Sequence, residues 1–397
     1  MNISKSTIKK ANGVVRVSST VTTKSGKEFT LWVEVSAEYA DFIATDSTAL
    51  ASPFVLAASR RNEGLSIEGS VSDRWMQGVL EILDRVVGWD HGFKPIAVTP
   101  ESTHEDVVAK SRKRSIGVFF SGGVDSFSSL LRFQHDREHA ITHLIFVHGF
   151  DIALENTELY NQVAQCMEAI SKETGLPCIT VRTNIRHITD ELLGWEMAHG
   201  GALAMVALLL RSGFSEVIIP GGGYTDWQEP WGSSEYLDPR WSTESLQIIH
   251  DEDGRMRFEK VRDFIAKSDL ALKHLRVCWR NNGYNCCMCD KCMMTMAELR
   301  AAGVLGKAQT FPSGLDLERL GQMYTTPYSI QQFVEQTHAY LEKLGNDPEL
   351  TAALGKSLQM SKNPGIKRRL ITLIHDLDWK YNESRLFVWL EKRKRSA

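Results

Sequence analysis

The segment that most constrains this chain is Ile116-Gly117-Val118-Phe119-Phe120, which runs without a break into Ser121-Gly122-Gly123-Val124-Asp125-Ser126 and then Phe127-Ser128-Ser129-Leu130-Leu131. A strand-length apolar run, a glycine turn and a helix-compatible stretch in that order predict a strand–loop–helix unit of an α/β sheet. Gly122 and Gly123 let backbone amides approach a phosphate with no Cβ in the way. Ser121 and Ser126 add hydroxyl donors, and the helix start adds partial positive charge. Asp125 suits such a loop only if it shapes the turn by hydrogen bonding or holds Mg²⁺. An ordinary Ser-Gly-Gly turn is the bland alternative, and it leaves Asp125 and Ser126 without a purpose. The loop lacks the Gly-Lys-Ser/Thr ending of a Walker A site, which argues against simple γ-phosphate hydrolysis.

Around this unit the chain divides into three expected regions. Residues 1–110 read as a β-rich N-terminal unit: a hairpin over 14–35 with Phe29, Leu31, Val33 and Val35 on one face, then a strand over 65–71. Ser72 follows as N-cap of a helix carrying Trp75, Val79, Leu83 and Val86, and residues 100–114 read as a polar connection. Residues 115–305 alternate short apolar strands (116–120, 144–147, 179–181, 217–219) with helices through Leu159, Val163, Met167 and Ile170 and over 202–210, which predicts a doubly wound parallel sheet. Residues 306–397 read as a helical C-terminal extension with segments 330–344, 348–360 and 366–379. Its last residues, Glu391-Lys392-Arg393-Lys394-Arg395, are either a nucleic-acid contact or a solvated helix end; the second is the expectation.

Five of the seven cysteines crowd into 278–292. In a long chain without a recognisable signal peptide this is metal-site rather than disulfide spacing. Cys286, Cys289 and Cys292 stand three apart, and Cys278 can fold back across Asn282-Gly283, giving four thiolates for a closed, structural Zn²⁺ site with Cys287 spare. The formal charge of −3 supplies no global pull toward a polyanion, so a nucleic-acid partner is not expected. No stretch approaches a membrane span, and a cytoplasmic protein is expected.

The loop SGGVDS at the head of an α/β unit resembles the PP-loop of N-type ATP pyrophosphatases, and that resemblance implies Mg-ATP cleaved between its α and β phosphates. Together with a distal cysteine followed by CxxCxxC, it looks like 7-cyano-7-deazaguanine synthase, over roughly residues 115 to 305. The resemblance implies an adenine nucleotide alpha-hydrolase-like fold and zinc on Cys278, Cys286, Cys289 and Cys292. It also implies ATP and pyrophosphate binding by Ser121, Gly122, Gly123, Asp125 and Ser126, with Asp125 and Ser126 in catalytic roles. Pro220-Gly221-Gly222-Gly223-Tyr224-Thr225-Asp226, just past a strand, resembles the family's segment near the substrate. There Gly222 and Gly223 would line the site, Tyr224 would stack and Asp226 accept, or the segment is a plain loop. Arg257 or Lys260, in Arg257-Phe258-Glu259-Lys260, stands where the family begins a helix and would meet phosphates; surface cations are the alternative. His148 would border the nucleotide.

The implied reaction is ATP-dependent activation of a small-molecule carboxylate, 7-carboxy-7-deazaguanine-like, followed by attack of ammonia or another amine to give an amide or nitrile. The N- and C-terminal additions depart from simple members and leave room for a larger amine, including a peptide or protein N-terminus; a homodimer is compatible with the sequence. Two rival readings stand beside it. A PP-loop RNA thiolase would need reactive thiols, for which only Cys166 and Cys178 lie outside the cluster, and both sit at core-like positions. A silent nucleotide-binding regulatory or assembly subunit would suit the added regions. A fused glutaminase with a cysteine after the initiator Met is not expected, since residue 2 is Asn2.

Overall fold

The computed structural model describes residues 1–89, 91–107, 114–134, 136, 139–222, 230–281, 283–325, 331–382 and 386. Its strands are β1 (Asn2–Ile3), β2 (Thr7–Ala11), β3 (Val14–Thr22), β4 (Glu28–Ser36), β5 (Leu65–Ser72), β6 (Val98–His104), β7 (Ser115–Phe119), β8 (His143–His148), β9 (Cys178–Thr183), β10 (Phe214–Pro220) and β11 (Gln247–Asp251). They form one mixed sheet in the order β11-β10-β7-β8-β9-β4-β3-β1-β5-β6, with β2 beside β3. The chain is therefore α/β, as the alternation of strands and helices predicts, but the sheet is not parallel throughout. β11, β10, β7, β8 and β9 pair parallel. β4 then joins β9 antiparallel, with Val33 opposite Thr183 and Val35 opposite Val181. The physical reason is an edge: β9 would otherwise expose a row of unpaired backbone groups, and the N-terminal hairpin covers it.

The helices that matter here are α1 (Asp73–Val87), α2 (Val124–Phe133), α3 (Thr157–Thr174), α4 (Trp195–Leu209), α5 (Arg257–Asp263), α6 (Asp290–Ala301), α7 (Gln331–Leu344), α8 (Pro348–Lys362) and α9 (Ile366–Asn382). The Ser72 side chain accepts from the Trp75 amide at 3.0 Å, so it caps α1 as its sequence position predicts. α4 is longer than the expected 202–210 and is apolar nearly all round, because it is buried. Residues 100–104, read from sequence as the start of a polar connection, instead belong to β6, an edge strand paired with β5. An edge position tolerates Pro100 and polar side chains, and this hid the strand.

One core joins the regions on one face of the sheet: Leu31, Trp75 and Val86 pack in the same cluster as Phe119, Ile145, Val206 and Phe214. The opposite face buries Val118, Phe120, Phe127, Val163 and Met167 together with Cys278, Cys289 and Cys292. A third cluster joins Phe258 of α5 and Met293, Met294 and Ala297 of α6 to Phe333, Val334 and Leu341 of α7 and Leu350 and Leu354 of α8. The C-terminal helices thus pack against α5, which carries Arg257 and Lys260, and α6, which carries Lys291 and Glu298. Among the described residues no helix is long and apolar enough to cross a membrane. The basic run 391–395 lies outside the described residues.

Candidate phosphate and metal site

β7 lies between β8 and β10, so the chain leaves it toward β8 and β9 on one side and later returns to β10 and β11 on the other. The crevice at such a reversal, beyond the carboxyl ends of the strands, is where open α/β sheets accept ligands. Ser121, Gly122 and Gly123 occupy it. Gly122 has φ +77°, and a Cβ there would stand 3.3 Å from Met167 Cε, so the turn favours glycine on both counts. Gly123 is the N-cap of α2 and has no side chain to cap the first turn, which leaves its amides for a ligand. The Ser126 hydroxyl donates to the Gly123 carbonyl at 3.1 Å and braces the turn from within. From below, the Arg276 amide donates to the Gly122 carbonyl at 2.8 Å.

The side chain of Asp125 stands at the loop between two cations from α5. Arg257 Nη1 is 3.6 Å from its Oδ2, and Lys260 Nζ is 3.6 Å from its Oδ1. Both cations are buried, yet Asp125 Oδ1 has no hydrogen-bond partner. An orphaned carboxylate oxygen facing buried positive charge fits a site that receives a metal ion together with an anionic ligand. Lys260 also donates to the Gly221 carbonyl at 2.6 Å, tying the end of β10 to the loop.

α6 supplies the other wall. Lys291, Thr295 and Glu298 fall at i, i+4 and i+7, along one helix face. Arg257 Nη2 donates to Thr295 Oγ1 at 2.8 Å, and Arg257 Nε lies 3.3 Å from Glu298 Oε2. Behind the guanidinium, the Phe333 ring of α7 lies 5.5 Å away. Glu298 is fully buried, and burial pushes its carboxyl up to about 7 against the opposing pull of Arg257. Burial, and after it the Arg257 charge, lowers the Lys291 ammonium below its usual range. Arg276 is buried, with Nη2 on Asn281 Oδ1 at 3.0 Å and Nε unpartnered.

The four expected thiols come together. The sulfurs of Cys278, Cys286, Cys289 and Cys292 all lie within 4.8 Å of one another, and Cys286 and Cys292 are 3.9 Å apart. Tetrahedral Zn–S bonds of about 2.3 Å place sulfurs roughly 3.8 Å apart, so the set fits a metal such as zinc. Asn285 shapes the loop: its Oδ1 accepts from the Val277 and Cys278 amides at 2.9 and 3.2 Å, and its Nδ2 donates to the Leu275 carbonyl at 2.8 Å. Cys287, the spare, adopts φ +55° and turns its sulfur toward the Asn285 carbonyl, 3.7 Å away.

The metal and phosphate regions are joined twice. Cys278 lies two residues after Arg276, whose amide holds Gly122. Cys289 occupies the N-cap position of α6 and Cys292 sits in its first turn, so the thiols lie at the start of the helix that presents Lys291, Thr295 and Glu298.

His148, at the end of β8, stacks on Tyr160 with centroids 4.0 Å apart and places Nε2 3.3 Å from the Ala153 carbonyl. Its contacts are therefore with α3 and the following turn rather than with the phosphate loop, and burial lowers its pKa. Gly222 follows the Gly221 that Lys260 holds; Gly223, Tyr224 and Asp226 lie outside the described residues. Burial pushes the Cys178 thiol up to about 12 and also raises Cys166, which contacts Tyr284 Oη at 2.9 Å and His274 Nδ1 at 3.2 Å. Neither is an activated thiol.

Sequence reasoning missed Arg276, Lys291 and Glu298. Two signals were present: Lys291 is enclosed within Cys289-Asp290-Lys291-Cys292, and Glu298 is an acid amid Met293, Met294, Met296, Ala297 and Leu299. Comparison of the chain with protein-family models, with curated proteins and with solved structures finds no match, so the site is read from its own geometry.

Proposed function

We propose that this chain is an ATP-dependent ligase that adenylates a carboxylate, releases pyrophosphate, and passes the acyl group to an amine. The observation that carries this is Asp125: an orphaned carboxylate oxygen, 3.6 Å from Lys260, at the head of a glycine loop and an uncapped helix start. The PP-loop resemblance of SGGVDS, with five parallel strands placing it at a reversal of strand order, supports the finer reading of a doubly wound pyrophosphatase fold.

In this reading a carboxylate oxygen of the substrate attacks the α-phosphorus of ATP. The bond from that phosphorus to the bridging oxygen breaks, and its electron pair leaves with pyrophosphate. The amides of the first turn of α2, with Arg257 and Lys260, take up the charge that develops on the leaving group, while Glu298 and Thr295 hold Arg257 in place. Mg²⁺ held at Asp125 would add charge neutralisation across the phosphates. Zinc held by the four cysteines would be fully coordinated by protein and would serve geometry rather than chemistry. Attack of an amine on the acyl-adenylate then forms the C–N bond and expels AMP. The expected acid is 7-carboxy-7-deazaguanine-like, and the amine is ammonia or a larger one, including a peptide or protein N-terminus.

The test is incubation with Mg-ATP, 7-carboxy-7-deazaguanine and ammonium, following AMP, pyrophosphate and new deazapurine masses, with Asp125→Ala as control. Pyrophosphate together with an amide or nitrile is the expected result. Pyrophosphate exchange into ATP without amide would keep adenylation and point to another amine. No AMP with any candidate acid would leave a nucleotide-binding module.

A further inference from the structure

His250 is the penultimate residue of β11, at the carboxyl end of the parallel strands and opposite Ile219 of β10. Its Nδ1 lies 2.8 Å from Oδ2 of Asp238, a carboxylate with no exposure to solvent. The Ser233 hydroxyl donates to the same oxygen at 2.6 Å, while Asp238 Oδ1 has no partner. A carboxylate accepts from Nδ1–H, and this fixes the tautomer: the lone pair of the neutral imidazole is then on Nε2. Among the described residues no hydrogen bond reaches Nε2. It lies beside Gly221, where a Cβ would stand 3.0 Å from it and 2.8 Å from Glu252 Oε2. The carbonyl of that glycine takes the Lys260 ammonium at 2.6 Å, and Lys260 faces Asp125. An oriented imidazole with a free lone pair therefore borders the crevice that holds the phosphate loop.

We propose that His250 is the general base for the second half of the reaction, with Asp238 as its positioning residue; this rests on the adenylation reading above. As the amine nitrogen forms its bond to the acyl carbon, the carbon–oxygen bond to AMP breaks and its electron pair leaves with the phosphate oxygen. The nitrogen must lose one proton, and His250 Nε2 takes it. Asp238 holds the ring and stabilises the imidazolium that forms.

The two halves separate the tests. Exchange of pyrophosphate into ATP with 7-carboxy-7-deazaguanine reports adenylation alone, and amide formation with ammonium reports both halves. His250→Gln is expected to lower amide formation about 10²-fold more than it lowers exchange, the usual scale of general-base catalysis. Asp238→Asn, which can favour the wrong tautomer, is expected to act in the same direction. Hydroxylamine, a much weaker base than ammonia, gives up that proton to water far more readily once its nitrogen is bonded to the acyl carbon, and is expected to close most of that gap in both variants. Equal losses in exchange and amide formation would make the pair structural and overturn the proposal, as would a gap that hydroxylamine leaves unchanged. Absence of exchange in the unaltered protein would sink the adenylation reading and this one with it.

Discussion

The two charged regions of this molecule have opposite deficits. At the cysteine cluster four sulfurs crowd within 4.8 Å, and as thiolates they need a cation. Around the phosphate loop the buried cations Arg257 and Lys260 face Asp125, Arg257 also faces a Glu298 whose carboxyl is pushed up to about 7, and the buried Arg276 adds a third cation beside Gly122, so that region is short of negative charge. The first region holds its metal ligands by a stiff framework of backbone bonds to Asn285. The second leaves its key oxygen unbonded. The closed site is tied to the open one through Arg276, whose amide holds Gly122, and through α6, whose start carries two of the thiols.

That dependence should run one way. Cys292→Ser is expected to cause the largest loss. It should release the metal, measured as bound zinc per chain, and lower unfolding free energy by roughly 5 kcal/mol, less than the ~10–16 kcal/mol of isolated zinc peptides because the rest of the core still folds. ATP binding by calorimetry should fall with it. Lys260→Met is expected to cut pyrophosphate exchange about 10²–10³-fold, the scale for removing one preorganised charge from a transition state, while bound zinc stays the same. Zinc loss in Lys260→Met, or unchanged ATP affinity in Cys292→Ser, would break the asymmetry.

Glu298 sharpens the comparison by pH. Its folded-state pKa is raised from the ordinary 4.5 to about 7, so the folded protein holds this proton more tightly than the unfolded chain. The associated stability is full below 4.5 and is lost as pH rises through about 7, a span of roughly 3 kcal/mol before any relaxation around Arg257. Glu298→Gln is expected to flatten this decline in urea unfolding midpoints measured between pH 5 and 8.5. An unaltered decline would mean that another group carries it.

Much of this was legible in the sequence, for physical reasons that differ by region. The loop and the thiols are contiguous motifs whose residue types state their chemistry, and β3, β4 and α1 announce themselves by period and cap. The joining of β4 to β9 depends on residues about 150 apart and has no local signature. β6 is an edge strand with the composition of a loop, and β11 is only five residues long. Arg257 and Lys260 were candidates because they stand near a helix start. Arg276 and Lys291 look like surface cations until the fold buries the first beneath the loop and sets the second on the Arg257 face of α6.

The smallest expected effect concerns the C-terminal helices. Phe333 of α7 sets its ring 5.5 Å from the Arg257 guanidinium, within the cluster that holds Met293, Met294 and Ala297. A cation near an aromatic face toward the outer end of the contact range is worth about 1 kcal/mol. Phe333→Leu keeps an apolar side chain there and removes the ring quadrupole. ATP affinity by calorimetry is expected to fall about five-fold, the equivalent of that energy, with bound zinc unchanged. If affinity holds, Thr295 and Glu298 orient Arg257 without help from α7. If pyrophosphate exchange falls as much as in Lys260→Met, the extension is as much a part of the phosphate site as the loop itself.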